Sequence, residues 1–165
     1  MAGRSHRERL IGELNGIRTE LAGEIQRLKP EEFDWAPRPD MKSIRALLQE
    51  IGTMEKVCVG WLIHQAVLDW KDAESSLGLD QNDPALAVEA LGRVREETLR
   101  YLDGCSEETL QTPVSLPEEW HVYWGPTIEP EEILRWVGRH EYYHLGQFIT
   151  YRWVLGDNPY KRDAA

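Results

Sequence analysis

Cysteine is scarce in this 165-residue chain, which carries only Cys58 and Cys105. Two thiols so far apart form neither a metal-binding nor a redox motif, and a domain this long needs no disulfide to build its core. Two buried or half-buried free thiols in a reducing cytoplasm are the expectation. Long apolar runs are missing too, and none approaches the roughly 20 residues of a membrane helix. Met1 to Arg9 is polar and basic, and no apolar stretch of signal-peptide type follows it. That pattern points to a cytoplasmic protein with no membrane partner. Positive charge is also short: 19 Lys and Arg face 29 Asp and Glu, for a formal net charge of -10. Gripping a phosphate backbone takes basic surface, so nucleic acid is not an expected partner. No repeat, low-complexity stretch or linker divides the chain. One domain is expected over 1–165, with its core from about 5 to 156 and a loosely held tail over 157–165.

Aromatic residues are abundant by contrast, with seven Trp and six Tyr. Such a surplus fits a well-filled core, a subunit interface, or both.

Apolar spacing predicts four long helices. The first runs from about Ser5 to Leu28 through Leu10, Leu14, Ile17, Leu21 and Ile25, with Ser5 and Glu8 at capping-box spacing. Lys29-Pro30 ends it, and a proline-containing loop with Phe33 and Trp35 as anchors follows. The second helix starts at the N-cap Ser43 and reaches about Val67. The segment from Asp69 to Leu79 is ambiguous and could hold a short helix ending at Gly78. The third opens at Asp83-Pro84 and runs to about Leu102. The stretch from Gly104 to Glu129, with Pro113, Pro117 and Pro126, reads as irregular and could hide a hairpin. The fourth helix begins at Glu129-Pro130 and reaches about Leu155, with Gly156 as its stop. The pattern is all-α: a four-helix bundle with at least one crossover connection.

Two histidines stand out on the fourth helix. His140 and His144 lie one turn apart, roughly 6 Å along the axis, so both imidazoles can reach one ion. The spacing alone is common enough to need context. The context is the row Ile133, Val137, His140, His144, Gln147, Tyr151, which is mostly apolar. Imidazoles in such a row must be hydrogen-bonded or metal-bound. Two satisfied core histidines are the alternative. Glu50 tips the balance toward metal. It sits in the row Leu47, Glu50, Met54, Val57, Trp61, where a carboxylate is costly unless paired or coordinating. A solvated edge position is its bland reading. Glu50, His140 and His144 together would leave open positions for water or substrate. His64 is about 21 Å along the helix from Glu50, too far to share the ion. His121 is expected as an exposed loop residue, though it could reach the mouth of the site, and His6 as a surface residue. Gln147 could orient a ligand histidine. Cys58 reads as a packed thiol.

The segments Leu28, Pro30, Phe33 and Trp35, then Ser43-Ile44 and Leu47-Leu48-Gln49-Glu50-Ile51 with Glu55, give the chain a resemblance to the DinB/YfiT-like family. His140-Glu141-Tyr142-Tyr143-His144-Leu145-Gly146-Gln147 and the ending Leu155-Gly156 complete it. The resemblance implies a four-helix bundle with a three-histidine metal site, one ligand from the second helix and two from the last. His140 and His144 match the last two, and Glu50 stands where the first histidine is expected. A harder, charged ligand there favours manganese, iron or zinc, with nickel also within the donor set. The resemblance further implies a stress-associated metalloprotein, homodimeric, acting on a small molecule as a metal-dependent hydrolase or as a transferase with a low-molecular-weight thiol. A non-catalytic binding or scaffold protein with a structural or absent metal is the alternative.

Overall fold

The computed structural model describes residues 4–161. Four long helices are joined by short elements: α1 (His6–Ile25), α2 (Ile44–His64), α4 (Pro84–Gly104) and α7 (Pro130–Val154), with α3 (Trp70–Ser75), α5 (Glu107–Gln111) and α6 (His121–Trp124) between them. The stretch read as irregular with room for a hairpin holds a small antiparallel one, β1 (Val114–Ser115) with β2 (Thr127–Ile128), Val114 pairing with Ile128. Pro30–Glu32 and Glu118–Trp120 are single 3₁₀ turns. No helix among the described residues is long and apolar enough to cross a membrane.

Local chemistry explains where the helices begin and end. The Glu8 amide donates to Ser5 Oγ at 3.1 Å while Glu8 Oε2 accepts from the Ser5 amide at 2.9 Å. That capping box satisfies two orphan donors at once. Ser43 and Asp83 cap α2 and α4 through single oxygens. The first helix stops three residues short of the expected Leu28, because its last turn tightens: the Leu28 amide donates to Ile25 O at 2.9 Å, an i–3 bond. The second stops at His64 rather than Val67, because Gln65 turns left-handed at φ 53°. Gly156 takes φ 101° just past α7, a conformation open to glycine at little cost.

The packing contacts α1·α7, α7·α2, α2·α4 and α4·α1 close a ring of four helices. Arg135 of α7 bonds Glu13 of α1, and Glu141 bonds Arg18, so α1 and α7 run parallel. Arg18 reaches Leu91 O and Arg95 reaches Leu14 O, which sets α1 and α4 antiparallel. The two parallel pairs in the ring are what a crossover connection produces, and α3 lies on the α2-to-α4 crossing.

The core is split along the bundle axis. One apolar cluster gathers Leu21, Ile25, Phe33, Leu48 and Phe148, the other Leu10, Leu14, Leu102, Ile133 and Leu134. Between them lies a charged layer with one residue from each long helix: Arg18, Glu55, Arg95 and Glu141. Arg18 Nε donates to Glu141 Oε1 at 2.6 Å and Arg18 Nη2 to Glu55 Oε2 at 2.6 Å. Arg95 Nε donates to Glu55 Oε1 at 2.7 Å and Arg95 Nη2 to Glu141 Oε2 at 2.5 Å. Thr98 Oγ1 donates to Glu55 Oε1 at 2.6 Å. The layer is neutral, and each carboxylate accepts from both guanidinium groups, which offsets the large desolvation penalty of buried ions.

Candidate metal centre

Glu50 lies in the second turn of α2, one turn past Ala46, and α2 runs antiparallel to α7. The carboxylate therefore faces the middle of α7, where the histidine pair sits. His144 Nε2 is 3.1 Å from His140 Nε2 and 3.6 Å from Glu50 Oε2. All three potential ligand atoms fall within 4.8 Å of one another. Donor atoms about 2.0–2.1 Å from a tetrahedral ion stand roughly 3.3 Å apart. The separations of 3.1 and 3.6 Å bracket that spacing, so nitrogen, nitrogen and carboxylate oxygen fit a divalent transition metal.

The histidines are held for this geometry. His144 is buried at 5 % exposure, and its Nδ1 lies 2.7 Å from Gln147 Oε1. An amide oxygen accepts, so Nδ1 carries the proton and Nε2 keeps its lone pair toward the centre. Gln147 Nε2 donates in turn to Tyr143 Oη at 3.1 Å, fixing the amide's orientation. Burial, then the neighbouring His144, push the His140 pKa down to about 4 against the pull of Glu50. The His140 imidazole is thus available as a neutral donor near pH 7. Glu50 is partly exposed, and its Oε2 also accepts an ion pair from Lys42 Nζ.

The three side chains line a cavity of about 690 Å³ whose walls include Leu47, Trp136, Tyr143 and Tyr151. Part of the aromatic surplus stands beside it. Trp61, Trp120, Trp124 and Trp136 form consecutive ring contacts of 5.5, 5.6 and 5.8 Å, and Trp136 lies 6.4 Å from the His140 ring. The segment after β1 thus packs along α7 toward the site.

The family model described as the DinB superfamily matches residues 13–148, a span that holds most of the bundle and all three candidate ligands. The chain belongs to the DinB superfamily. Two solved structures share the fold. One is a conserved protein from Enterococcus faecalis, 18 % identical, covering 94 % of this chain and 100 % of its own, with a TM-score of 0.71. The other is a DinB-family protein from Exiguobacterium sibiricum 255-15, 21 % identical, covering 98 % and 99 %, with a TM-score of 0.65. No curated protein matches the chain.

Within this DinB bundle the remaining histidines stand apart from the ligand cluster. His64 is exposed at the end of α2. His121 is half-buried rather than an exposed loop residue, because its Nε2 lies 3.0 Å from Leu116 O and ties α6 to the residue after β1. His6 Nδ1 lies 3.4 Å from Glu131 Oε1. The Cys58 thiol is buried, 3.7 Å from Met54 Sδ, and burial pushes its pKa up to about 12. Part of the expected loose tail is tied down: Arg152 Nη2 donates to Asp157 Oδ2 at 2.6 Å, and the Tyr160 ring lies 5.4 Å from Trp153. Residues 162–165 of that tail lie outside the described residues.

Sequence reasoning passed over Lys42 and the charged layer beside the site. For the layer a signal existed. Arg18 interrupts the buried row Leu14, Arg18, Leu21, and Arg95 the row Leu91, Arg95, Thr98, Leu102. The rule that singled out Glu50 applies with more force to these arginines. Glu55, on the same helix as Glu50, is 1 % exposed.

Proposed function

We propose that this DinB-superfamily protein binds a divalent transition metal through Glu50 Oε2, His140 Nε2 and His144 Nε2, and acts on a small molecule in the adjoining cavity. The observation that carries the reading is the His144 arrangement: one ring nitrogen committed to Gln147, the other aimed at His140 and Glu50. A buried histidine oriented in this way is what a metal ligand requires. Zinc, iron, manganese and nickel all suit two imidazoles and a carboxylate. When bound, such an ion supplies Lewis acidity that lowers the pKa of a coordinated thiol or water. An ion held by these three residues, which line the cavity, would keep a further position for water or substrate, as catalytic rather than structural sites do. Gln147 holds the tautomer of His144, and the apolar walls Leu47, Trp136 and Tyr151 shelter a substrate from water. A thiol S-transferase using a low-molecular-weight thiol, or a hydrolase, is the reaction class proposed. The protein is proposed to work in the cytoplasm in a stress response, as a homodimer joined through exposed aromatic side chains such as Tyr142 and Trp153.

Elemental analysis of protein purified without a histidine tag, beside His144→Ala and Glu50→Ala, tests the ligand set. Near-stoichiometric metal in the parent and its loss in both variants is the expected result. Full occupancy in His144→Ala would sink the assignment. The Lys42–Glu50 ion pair favours a second reading, a non-catalytic binding protein that needs no metal. In that case the melting temperature would be the same with and without chelator, whereas a metal that binds only the folded state raises it.

A further inference from the structure

Two groups converge on one oxygen in the candidate centre, and only one of them is a fixed cation. Glu50 Oε2 is the atom that lies 3.6 Å from His144 Nε2 and also the atom that accepts the Lys42 ion pair. Lys42 belongs to no helix; it immediately precedes the α2 cap Ser43, its side chain is 55 % exposed, and it lines the same cavity as the histidines. Its ammonium therefore stands beside the position where the three ligand atoms converge.

Without an ion, the charges of Lys42 and Glu50 cancel. A divalent ion held by Glu50, His140 and His144 would leave one positive charge uncompensated at the centre, and the Lys42 ammonium beside it would be a second. Arg139 also lines the cavity, with a partner of its own, Glu132 Oε2 at 3.3 Å. Like charges this close, partly shielded from water, repel strongly unless an anion separates them. The carboxylate can offer only its second oxygen, Oε1, to a displaced Lys42, which does not remove the excess charge.

We infer that the cavity binds a carboxylate-bearing organic anion whose carboxylate sits between the metal and Lys42, so that metal and anion bind cooperatively. This rests on the metal reading above. Lys42 has two roles in it. It holds Glu50 as a stand-in cation when no metal is bound, and it becomes the anion's partner once the metal takes Oε2. The apolar walls, Leu47, Trp136 and Tyr151, receive the body of the molecule, and Lys42 selects for its charge. By linkage, an anion that favours the metal-loaded protein must raise metal affinity by the same factor as the metal raises its own.

The test uses Co²⁺ as a visible-absorbing probe metal and benzoate as the anion, with perchlorate at equal ionic strength as the non-coordinating control. Wild type and Lys42→Met are titrated in each salt. Lys42 is largely exposed and makes one ion pair, so the variant folds. Wild type is expected to bind Co²⁺ at least about fivefold more tightly in benzoate than in perchlorate, within the usual range of coupling. Lys42→Met is expected to bind Co²⁺ more tightly than wild type in perchlorate, because the competing ammonium is gone, and to lose the benzoate gain. An equal benzoate gain in both proteins, or none in wild type, overturns the anion site while leaving the metal site standing. No Co²⁺ uptake by either protein in either salt overturns the metal reading and the anion site with it.

Discussion

Arg95 Nε donates to Glu55 Oε1 at 2.7 Å in the middle of the bundle, where Arg95 is 3 % exposed and Glu55 1 %. The pair draws α4 onto α2, and the second bond of Arg95, to Glu141 at 2.5 Å, ties both to α7 next to His140. A charged layer at this level fixes how the four helices slide against one another. A one-turn slip would leave buried ions unpaired, whereas an apolar layer would tolerate it.

Arg95→Met should therefore be costly. Removing one partner of a buried ion pair typically destabilises by about 3–5 kcal/mol, because the charge left behind has no compensation. Urea denaturation monitored by far-ultraviolet circular dichroism would measure it. Replacing all four charged residues by apolar ones should cost far less than Arg95→Met alone. A four-residue replacement that is less stable than the single variant would refute this account.

The same layer predicts an acid transition. Burial raises the Glu55 pKa, but the charges of Arg18 and Arg95 and the bonds from Arg95 and Thr98 outweigh it and bring it down to about 2 from an ordinary 4.5. Between those values the unfolded chain binds more protons than the folded one, so stability falls as pH drops through this window. The loss attributable to Glu55 is on the order of 3 kcal/mol. Denaturation midpoints measured from pH 5 to pH 2 should fall more steeply for the parent than for Glu55→Gln, which starts lower and has no proton to take up there.

Gln147 should matter to metal affinity without touching the metal. Gln147→Leu keeps the volume but leaves His144 Nδ1 without its acceptor. Loss of such an orienting partner typically weakens metal binding by about 10–100-fold. Competition titration against a chromophoric chelator gives the number, and an unchanged affinity would remove Gln147 from the site.

Cys58 should be inert in the folded protein. A buried thiol with a pKa near 12 offers almost no thiolate at neutral pH. Iodoacetamide labelling followed by mass spectrometry should modify Cys58 in urea and spare it in buffer. Fast labelling of the native protein would mean that α2, which carries Cys58, opens locally.

Much of the fold was legible in the sequence because it is local. The capping box of Ser5 and Glu8, the Asp83-Pro84 start and the Gly156 stop are decided within three or four residues, and the spacing of apolar side chains reports one helix at a time. The stacking of His140 on His144 is of the same kind, since a helical turn brings them together wherever the helix goes. The two-residue strands Val114–Ser115 and Thr127–Ile128 left no comparable trace, being too short for any alternation to register. Glu50 could be marked as out of place in an apolar row and grouped with the histidines as a candidate ligand, but its distance from them could not be read from the sequence. Only the antiparallel packing of α2 on α7 sets its oxygen 3.6 Å from His144. The layer of Arg18, Glu55, Arg95 and Glu141 and the approach of Lys42 to Glu50 belong to tertiary structure for the same reason. A buried charge is tolerable only opposite its partner, and which residues share a level of the bundle depends on the relative slide of helices separated by tens of residues.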